Sequence, residues 1–205
     1  LHVLSTTNPA ILARNDSGGT GIRMQTDAGS ACSLSFSDTD AHNQGLILYH
    51  HSDDRMQFNI AGSERLRINS SGNLLIGTTS SRSINSHVPR LQISGTDYST
   101  STFSIINNTN DNNGAYLFLM KQRSGSPGGS TVVQNGDILG QIRFGGADGT
   151  DMENPAAYIE AKVDGSPASN DMPARISFYT NSGTTAPGER LRIEPTGAAT
   201  FVGAT

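Results

Sequence analysis

One passage occurs twice in this chain. GSERLRINSSGN occupies 62 to 73 and PGERLRIEPTGA occupies 187 to 198, so that Glu64 and Glu189, like Gly72 and Gly197, stand 125 residues apart. In each copy a five-residue stretch of alternating apolar residues runs into a turn that contains glycine. Self-similarity at a fixed spacing identifies a modular chain built from repeated supersecondary units.

The duplication reaches beyond its best-matched part. RMQFN (55 to 59) precedes the first copy as RISFY (175 to 179) precedes the second, at an offset of 120, which places five extra residues of the second copy within SGTTAPG. Further upstream CSLSFSD (32 to 38) is similar to GQIRFGG (140 to 146), and AILARN (10 to 15) more loosely to AYLFLMKQ (115 to 122). LQIS at 91 to 94 opens the second copy with no counterpart before Leu1, which is not an initiator Met. The expectation is a longer parent protein, with an N-terminally truncated first module over 1–84 and a second module over 85–205, joined in the polar stretch SSRSINSHVP.

The supply of core residues is short. Hydrophobic residues make up 34% of the chain and Trp is absent, and Leu, Ile, Val and Phe together reach about a fifth, near the level at which disorder sets in. Disorder usually also requires a high net charge, whereas the formal charge is −4 with 16% charged residues. A unit too poor in apolar residues to close its own core can share one around a symmetry axis, so obligate association is expected. The single Cys32 excludes an intramolecular disulfide and is expected to be a small buried apolar residue. No stretch approaches the roughly 20 apolar residues that span a bilayer, so no membrane insertion is expected. With 14 basic against 18 acidic residues and no basic run, nucleic-acid binding is not expected either.

Period-two alternation dominates wherever apolar residues cluster, and Gly, Asn, Asp, Ser and Pro punctuate the intervals, which describes short strands joined by turns. In ERLRI the alternation sets Leu66 and Ile68 against Arg65 and Arg67. The following NSSGN and EPTGA place Gly72 and Gly197 for positive φ and Pro195 early in a turn. NPAAYIEAKV (154 to 163) offers a helical N-cap and a first-turn proline. It also alternates, and the strand reading is preferred because its counterpart GLILYHH has no cap.

Nothing in the sequence assembles a catalytic or metal-binding motif. Asp38, Asp40, His42, His50, His51, Asp53 and Asp54 match neither zinc nor calcium spacing, and adjacent histidines on a strand face opposite ways. GGTG at 18 to 21 lacks the Lys of a phosphate loop, and no Ser sits in a G-x-S-x-G context. GGADGTD (145 to 151) is acidic without regular calcium-loop spacing. Glu153 and Glu160, with Asp148 and Asp151, are the acids available for a pair across a groove. Glu64 and Glu189 recur at one place in both copies and read as structural partners of Arg65, Arg67, Arg190 or Arg192. Tyr98, Phe103, Tyr116 and Tyr158 serve either sugar stacking or packing. Surface contact is expected on the loops 123–130, 145–155 and 164–173, with Asp148, Asp151, Glu153, Tyr158, Asp164, Asn170 and Asp171 as candidate binding residues. No metal and no cofactor is called for.

ERLRINSSGNLLIGTT (64 to 79) closely resembles a module that recurs in the tail fibres and tail spikes of tailed bacteriophages, in which an E-R-[ML]-R-I strand meets a D-S-S-G-N turn and an I-G-T-T ending. GDILGQIRFGGADG (136 to 149) and RISFYTN (175 to 181) resemble the body of that module, while EPTGA and FVGAT depart from its turn and its ending. The resemblance implies an all-β chain of short strands and turns in two repeated modules, wrapped into an elongated parallel homotrimer. Leu66, Ile68, Ile76, Leu191, Ile193 and Phe201 would then be trimer-core candidates. It implies a non-enzymatic structural and host-adhesion component of the virion, located outside the cell. Its partners would be two further copies of itself, other virion proteins, and a host surface glycan or protein. A trimeric tail spike depolymerase acting on polysaccharide and a bacterial surface adhesin with the same module are the alternatives. Related fibres are often followed by a self-cleaving chaperone domain, and an end at Thr205 fits either cleavage or truncation.

Overall fold

Alternating segments bounded by turn formers have one way to satisfy their backbone, which is to pair laterally. The computed structural model describes residues 22–184 and 186–203, and within them the chain forms eleven strands and no helix. The first sheet takes β1 (Ala31–Phe36), β2 (Gly45–His50), β3 (Arg55–Ile60), β4 (Ser63–Ile68), β5 (Leu74–Ile76) and β6 (Leu91–Ile93) in that order. Its neighbours are antiparallel as far as β5, and β6 then pairs parallel with β5. The second sheet is an antiparallel meander of β7 (Ile138–Gly145), β8 (Pro155–Val163), β9 (Ala174–Thr180), β10 (Gly188–Ile193) and β11 (Ala199–Phe201). The strand reading of 155–163 is borne out as β8, because the segment shares its ladder on both sides.

The chain divides into two units, and they interleave in sequence. Residues 22–81 and 90–102 make one, and 82–89 with 103–203 make the other. The LQI of β6, which reads as the start of the second repeat, completes the first sheet. In return Ile84 and His87 bridge across a tight turn with Asn85 and Ser86 at positive φ, and the Glu153 carboxylate accepts from the Ser86 N–H within the second unit. AILARN and GGTG lie outside the described residues.

The two ERLRI hairpins close with the same pair of backbone hydrogen bonds. In the first sheet the Gly72 N–H donates to the Asn69 carbonyl at 2.8 Å and the Asn69 N–H to the Asn73 carbonyl at 3.1 Å. In the second, the Gly197 N–H donates to the Glu194 carbonyl and the Glu194 N–H to the Ala198 carbonyl, both at 2.9 Å. Each is a three-residue hairpin loop whose last residue is left-handed, with Gly72 at φ 76° and Gly197 at φ 84°. Pro195 occupies the position for which its fixed φ is pre-set. The five extra residues of the second copy fall entirely between β9 and β10, where the Asn181 carboxamide oxygen accepts from the N–H groups of Gly183 and Thr184 at 2.8 Å. The first copy makes the same connection with Ala61 and Gly62 alone, both left-handed.

Little of this is buried. Among the described residues the only buried apolar side chains are Leu75, Val133 and Val163. Val163 belongs to a closed corner in which its N–H donates to the Asp137 carbonyl at 2.8 Å and its carbonyl accepts from Gly136 at 3.0 Å. The buried Asp137 carboxylate there takes a two-pronged contact from Arg123 at 2.6 and 2.7 Å and the Gln134 N–H at 2.9 Å. Cys32, expected to be buried, is half-buried, with Sγ 3.8 Å from His51 Nε2, because the sheet face that carries it has no cover in the single chain.

Candidate functional site

Register places the apolar residues of each sheet in continuous rows. In the first sheet Leu34, Ile47, Phe58, Leu66, Ile76 and Ile93 are successive cross-strand partners. The matching row of the second sheet runs Ile142, Ile159, Phe178, Leu191 and Phe201. Two residues along each strand, a parallel row passes through Tyr49, Met56, Ile68, Leu74 and Leu91, and another through Ala161, Ile176, Ile193 and Ala199. All six residues named as trimer-core candidates fall on these faces: Leu66, Ile68 and Ile76 on one, Leu191, Ile193 and Phe201 on the other. These are also the faces left in water, with Leu34, Met56, Ile68, Leu91, Ile142, Ile176, Ile193 and Phe201 all exposed. Scattered exposed hydrophobic residues need no explanation, whereas contiguous rows mark an interaction surface.

The opposite faces hold the acids and bases, positioned by a bulge that both copies share. Asn59 pairs Glu64 and Phe58 pairs Leu66, which leaves Arg65 as an extra residue. Tyr179 pairs Glu189 and Phe178 pairs Leu191, which leaves Arg190. The bulged carbonyls are then taken up alike, Arg65 accepting from the Gly77 N–H at 3.1 Å and Arg190 from the Val202 N–H at 2.9 Å. Residues three apart on a regular strand face opposite ways, and the inserted residue brings them to one side. Arg67 therefore meets Glu64 in a two-pronged contact at 2.5 and 2.7 Å, and Arg192 meets Glu189 at 2.6 and 2.7 Å. The Arg192 guanidinium, helped by the Ser177 hydroxyl at 3.1 Å, holds the Glu189 carboxyl below the ordinary carboxylate range. Glu189 in turn raises the Arg192 guanidinium.

On the same side of the second sheet Tyr158 stacks on Tyr179, centroids 4.2 Å apart, while Arg143 covers its other flank at 5.5 Å. Burial raises both phenols. Tyr158 thus has Tyr179 against its ring on one side and Arg143 over it from the neighbouring strand, which is packing geometry and leaves no open face on Tyr158 for a sugar ring. The buried Glu160 accepts from the Gln141 carboxamide at 2.5 Å and from the Tyr179 hydroxyl at 3.5 Å.

The loop candidates separate into two places. Asp148, Asp151 and Glu153 lie between β7 and β8, and Asp164, Asn170 and Asp171 between β8 and β9. They stand at opposite ends of a nine-residue strand, roughly 30 Å apart at the usual rise. Asp148 accepts from the N–H groups of Thr150 and Asp151 at 2.8 and 3.1 Å, and those bonds, the Asp151 one foremost, hold its carboxyl low. The Ser86 N–H and then the Ser83 hydroxyl lower Glu153. Asp164 pairs with Arg175 at 3.1 Å, and Asn170 is left-handed in a turn closed between Ala168 and Asp171. Among the described residues no group of three His, Cys, Asp or Glu side chains is placed to hold a metal ion. Sequence reading missed the bulge, whose only trace is the recurrence of Glu three residues before Arg in both copies. It also gave AYLFLM only a loose likeness to AILARN and a choice of roles for Tyr116, although six apolar residues in a row are a visible signal of a segment to be covered.

Two sheets with uncovered apolar faces, the second an antiparallel meander and the first antiparallel up to its parallel β5–β6 pair, define an all-β fold that known structures share. No protein-family profile and no curated protein matches the chain. Its fold is similar to a solved structure of the carboxy-terminal domain of the bacteriophage T5 L-shaped tail fibre with its intra-molecular chaperone domain. That match has a TM-score of 0.72 at 12% identity and covers 94% of this chain. The chain spans 62% of that protein's length. A second structure, of the same fibre's carboxy-terminal domain, matches with a TM-score of 0.64 at 11% identity, over 98% of this chain and 90% of the other.

Proposed function

We propose that this chain is a structural and host-adhesion component of a bacteriophage tail fibre. Three parallel copies would cover one another's apolar sheet faces, with Leu66, Ile68, Ile76, Leu191, Ile193 and Phe201 inside. The observation that carries the reading is the pair of register-aligned apolar rows left in water on both sheets. The likeness in fold to tail-fibre domains supports it. Closed assembly removes such faces and the strand edges beside them at once. On this reading 1–84 and 85–205 are two modules of one fibre, other virion proteins adjoin it, and its place is the virion.

Adhesion to a host surface glycan is assigned to the connecting loops, with Asp148, Asp151 and Glu153 in one group and Asp164, Asn170 and Asp171 in the other; Tyr158, on the strand between them and stacked on Tyr179, is left out of the contact. A non-enzymatic role fits the carboxyls. Asp148 accepts from the N–H groups of Thr150 and Asp151, and Glu153 from the N–H of Ser86, so both carboxylates are engaged in holding loop backbone. Light scattering on the native protein, with an unboiled gel, tests the assembly, and a single-chain mass at micromolar concentration overturns it. Incubation with purified host polysaccharide tests the chemistry. Intact polymer is expected, and shortening of the polymer would establish the depolymerase instead. Replacement of the two loop groups should reduce host adsorption; unchanged adsorption removes them from the contact.

A further inference from the structure

Residues 102–109 and 113–122 run without turn or bend on either side of a bend at 110–112. That bend is tied by its own side chains. Asp111 accepts from the Asn113 N–H at 2.9 Å and the Thr109 hydroxyl at 2.7 Å, and the Asn107 carboxamide accepts from the Thr109 N–H and donates to the Asn113 carbonyl, both at 3.0 Å. A bend organised in this way ordinarily closes a hairpin. Here the two arms do not pair, and among the described residues 103–121 makes no backbone–backbone hydrogen bond at all.

The side chains are as bare as the backbone. Tyr116, Leu117, Phe118, Leu119 and Met120 are between 44% and 84% exposed, and Phe103, Ile105 and Ile106 are exposed as well. Tyr116 stacks on Phe118 with centroids 5.5 Å apart, so these two share one side of the arm. Alternation sends Leu117 and Leu119 to the other. A strand apolar on both sides is one that is covered on both sides. A long, flat, apolar strand with open edges is otherwise an aggregation site.

The base of the arm is anchored in its own unit. Lys121 and Arg123 reach Asp137, and the Arg123 N–H donates to the Thr131 carbonyl at 3.1 Å. Leu119 lies over Gly140, where a Cβ would come within 2.6 Å of its own, so the arm starts across the apolar face of the second sheet. Between 103 and 120 the only charged residue is Asp111, in the bend. Charge-free arms with unpaired donors and acceptors fit an uncharged surface flanked by open strand edges, and each copy of this chain offers that surface in the row from Ile142 to Phe201.

We infer that residues 103–121 are an exchange arm, pairing backbone to backbone with a second copy of this chain and lying on its apolar sheet face. The inference rests on the assembly reading above and names the segment that would join the copies. Hydrogen–deuterium exchange with mass spectrometry on the intact chain, run beside light scattering, tests both. The expected result is a three-chain mass with peptides over 103–121 exchanging at least about a hundredfold slower than free peptide, as for a paired strand. A three-chain mass with 103–121 exchanging at free-peptide rates overturns the arm and leaves the assembly standing. A single-chain mass overturns both, whatever the exchange.

Discussion

Phe201→Ala distinguishes a chain that folds alone from one whose apolar faces are covered by its copies. Phe201 ends the row that begins at Ile142 and is 72% exposed in the single chain. A phenylalanine side chain has on the order of 200 Å² to bury, so about 140 Å² of it stays in water, and covering that area is worth about 3.5 kcal/mol at about 25 cal/mol per Å². If the face is open, truncation removes only the contacts already made, about 1 kcal/mol. If it is covered, the loss is about 3 to 5 kcal/mol per chain, and it enters three times for each trimer. Thr200→Ala, on the opposite face where Thr200 pairs Arg192, is the control and is expected to stay within about 0.5 kcal/mol. Urea unfolding of both variants, with native mass followed on dilution, reads the difference. Phe201→Ala should unfold at markedly lower urea and lose trimer on dilution. A loss within about 1 kcal/mol of the control, at unchanged native mass, would refute the reasoning.

The clamp gives a second expectation: Arg192→Met leaves the half-covered Glu189 carboxylate without its main partner and should cost about 1 to 3 kcal/mol. A double-mutant cycle with Glu189→Gln should return most of that as coupling, and a coupling near zero would make the pair incidental. Asp137 titrates well below its ordinary value because Arg123 and the Gln134 N–H favour the ionised form. A depressed folded pKa contributes stability that is complete above the unfolded value of about 3.9 and is lost as pH falls through the folded one. Asp137→Asn should therefore be less stable at neutral pH and flatten the acid limb of an unfolding curve, and an unaltered limb would count against this. Among the turn glycines, Gly197→Ala meets open space at φ 84° and should cost about 1 to 2 kcal/mol of stability, read as a lowered thermal midpoint. Gly77→Ala places a Cβ 2.2 Å from the Ser94 carbonyl oxygen at φ 72° and should cost clearly more, since β5 and β6 would have to part.

Strand positions and turns were legible because they depend on neighbours in sequence. The alternation in ERLRI, RISF and AAYIEAKV states which residues share a face, and Gly72 and Gly197 state where the chain must turn left-handed. The five-residue difference between the copies was also readable, since an insertion at a hairpin end changes no register. The bulge at Arg65 and Arg190 was not, because one extra residue leaves no mark on composition. It nevertheless decides which arginine meets Glu64 and Glu189, out of the four candidates. Tyr158 was open to sugar stacking in the sequence, and the ring of Tyr179 on the next strand took that face away. The sequence placed the candidate acids on separate loops, 145–155 and 164–173, without saying how far apart, and a nine-residue strand sets them at opposite ends.

What the sequence determined by itself is local: an all-β chain, a repeated strand–turn–strand unit, and too few apolar residues to close a core. Tertiary structure alone decided which segments pair across long separations, such as β6 with β5, and where the shortage of burial is concentrated. Pairing over distance depends on which edges remain open once local hairpins have formed, and register depends on bulges, and neither is encoded in the residues next to it. The apolar residues, divided among many short segments of the sequence, become rows on one face of each sheet only when the ladder fixes their register.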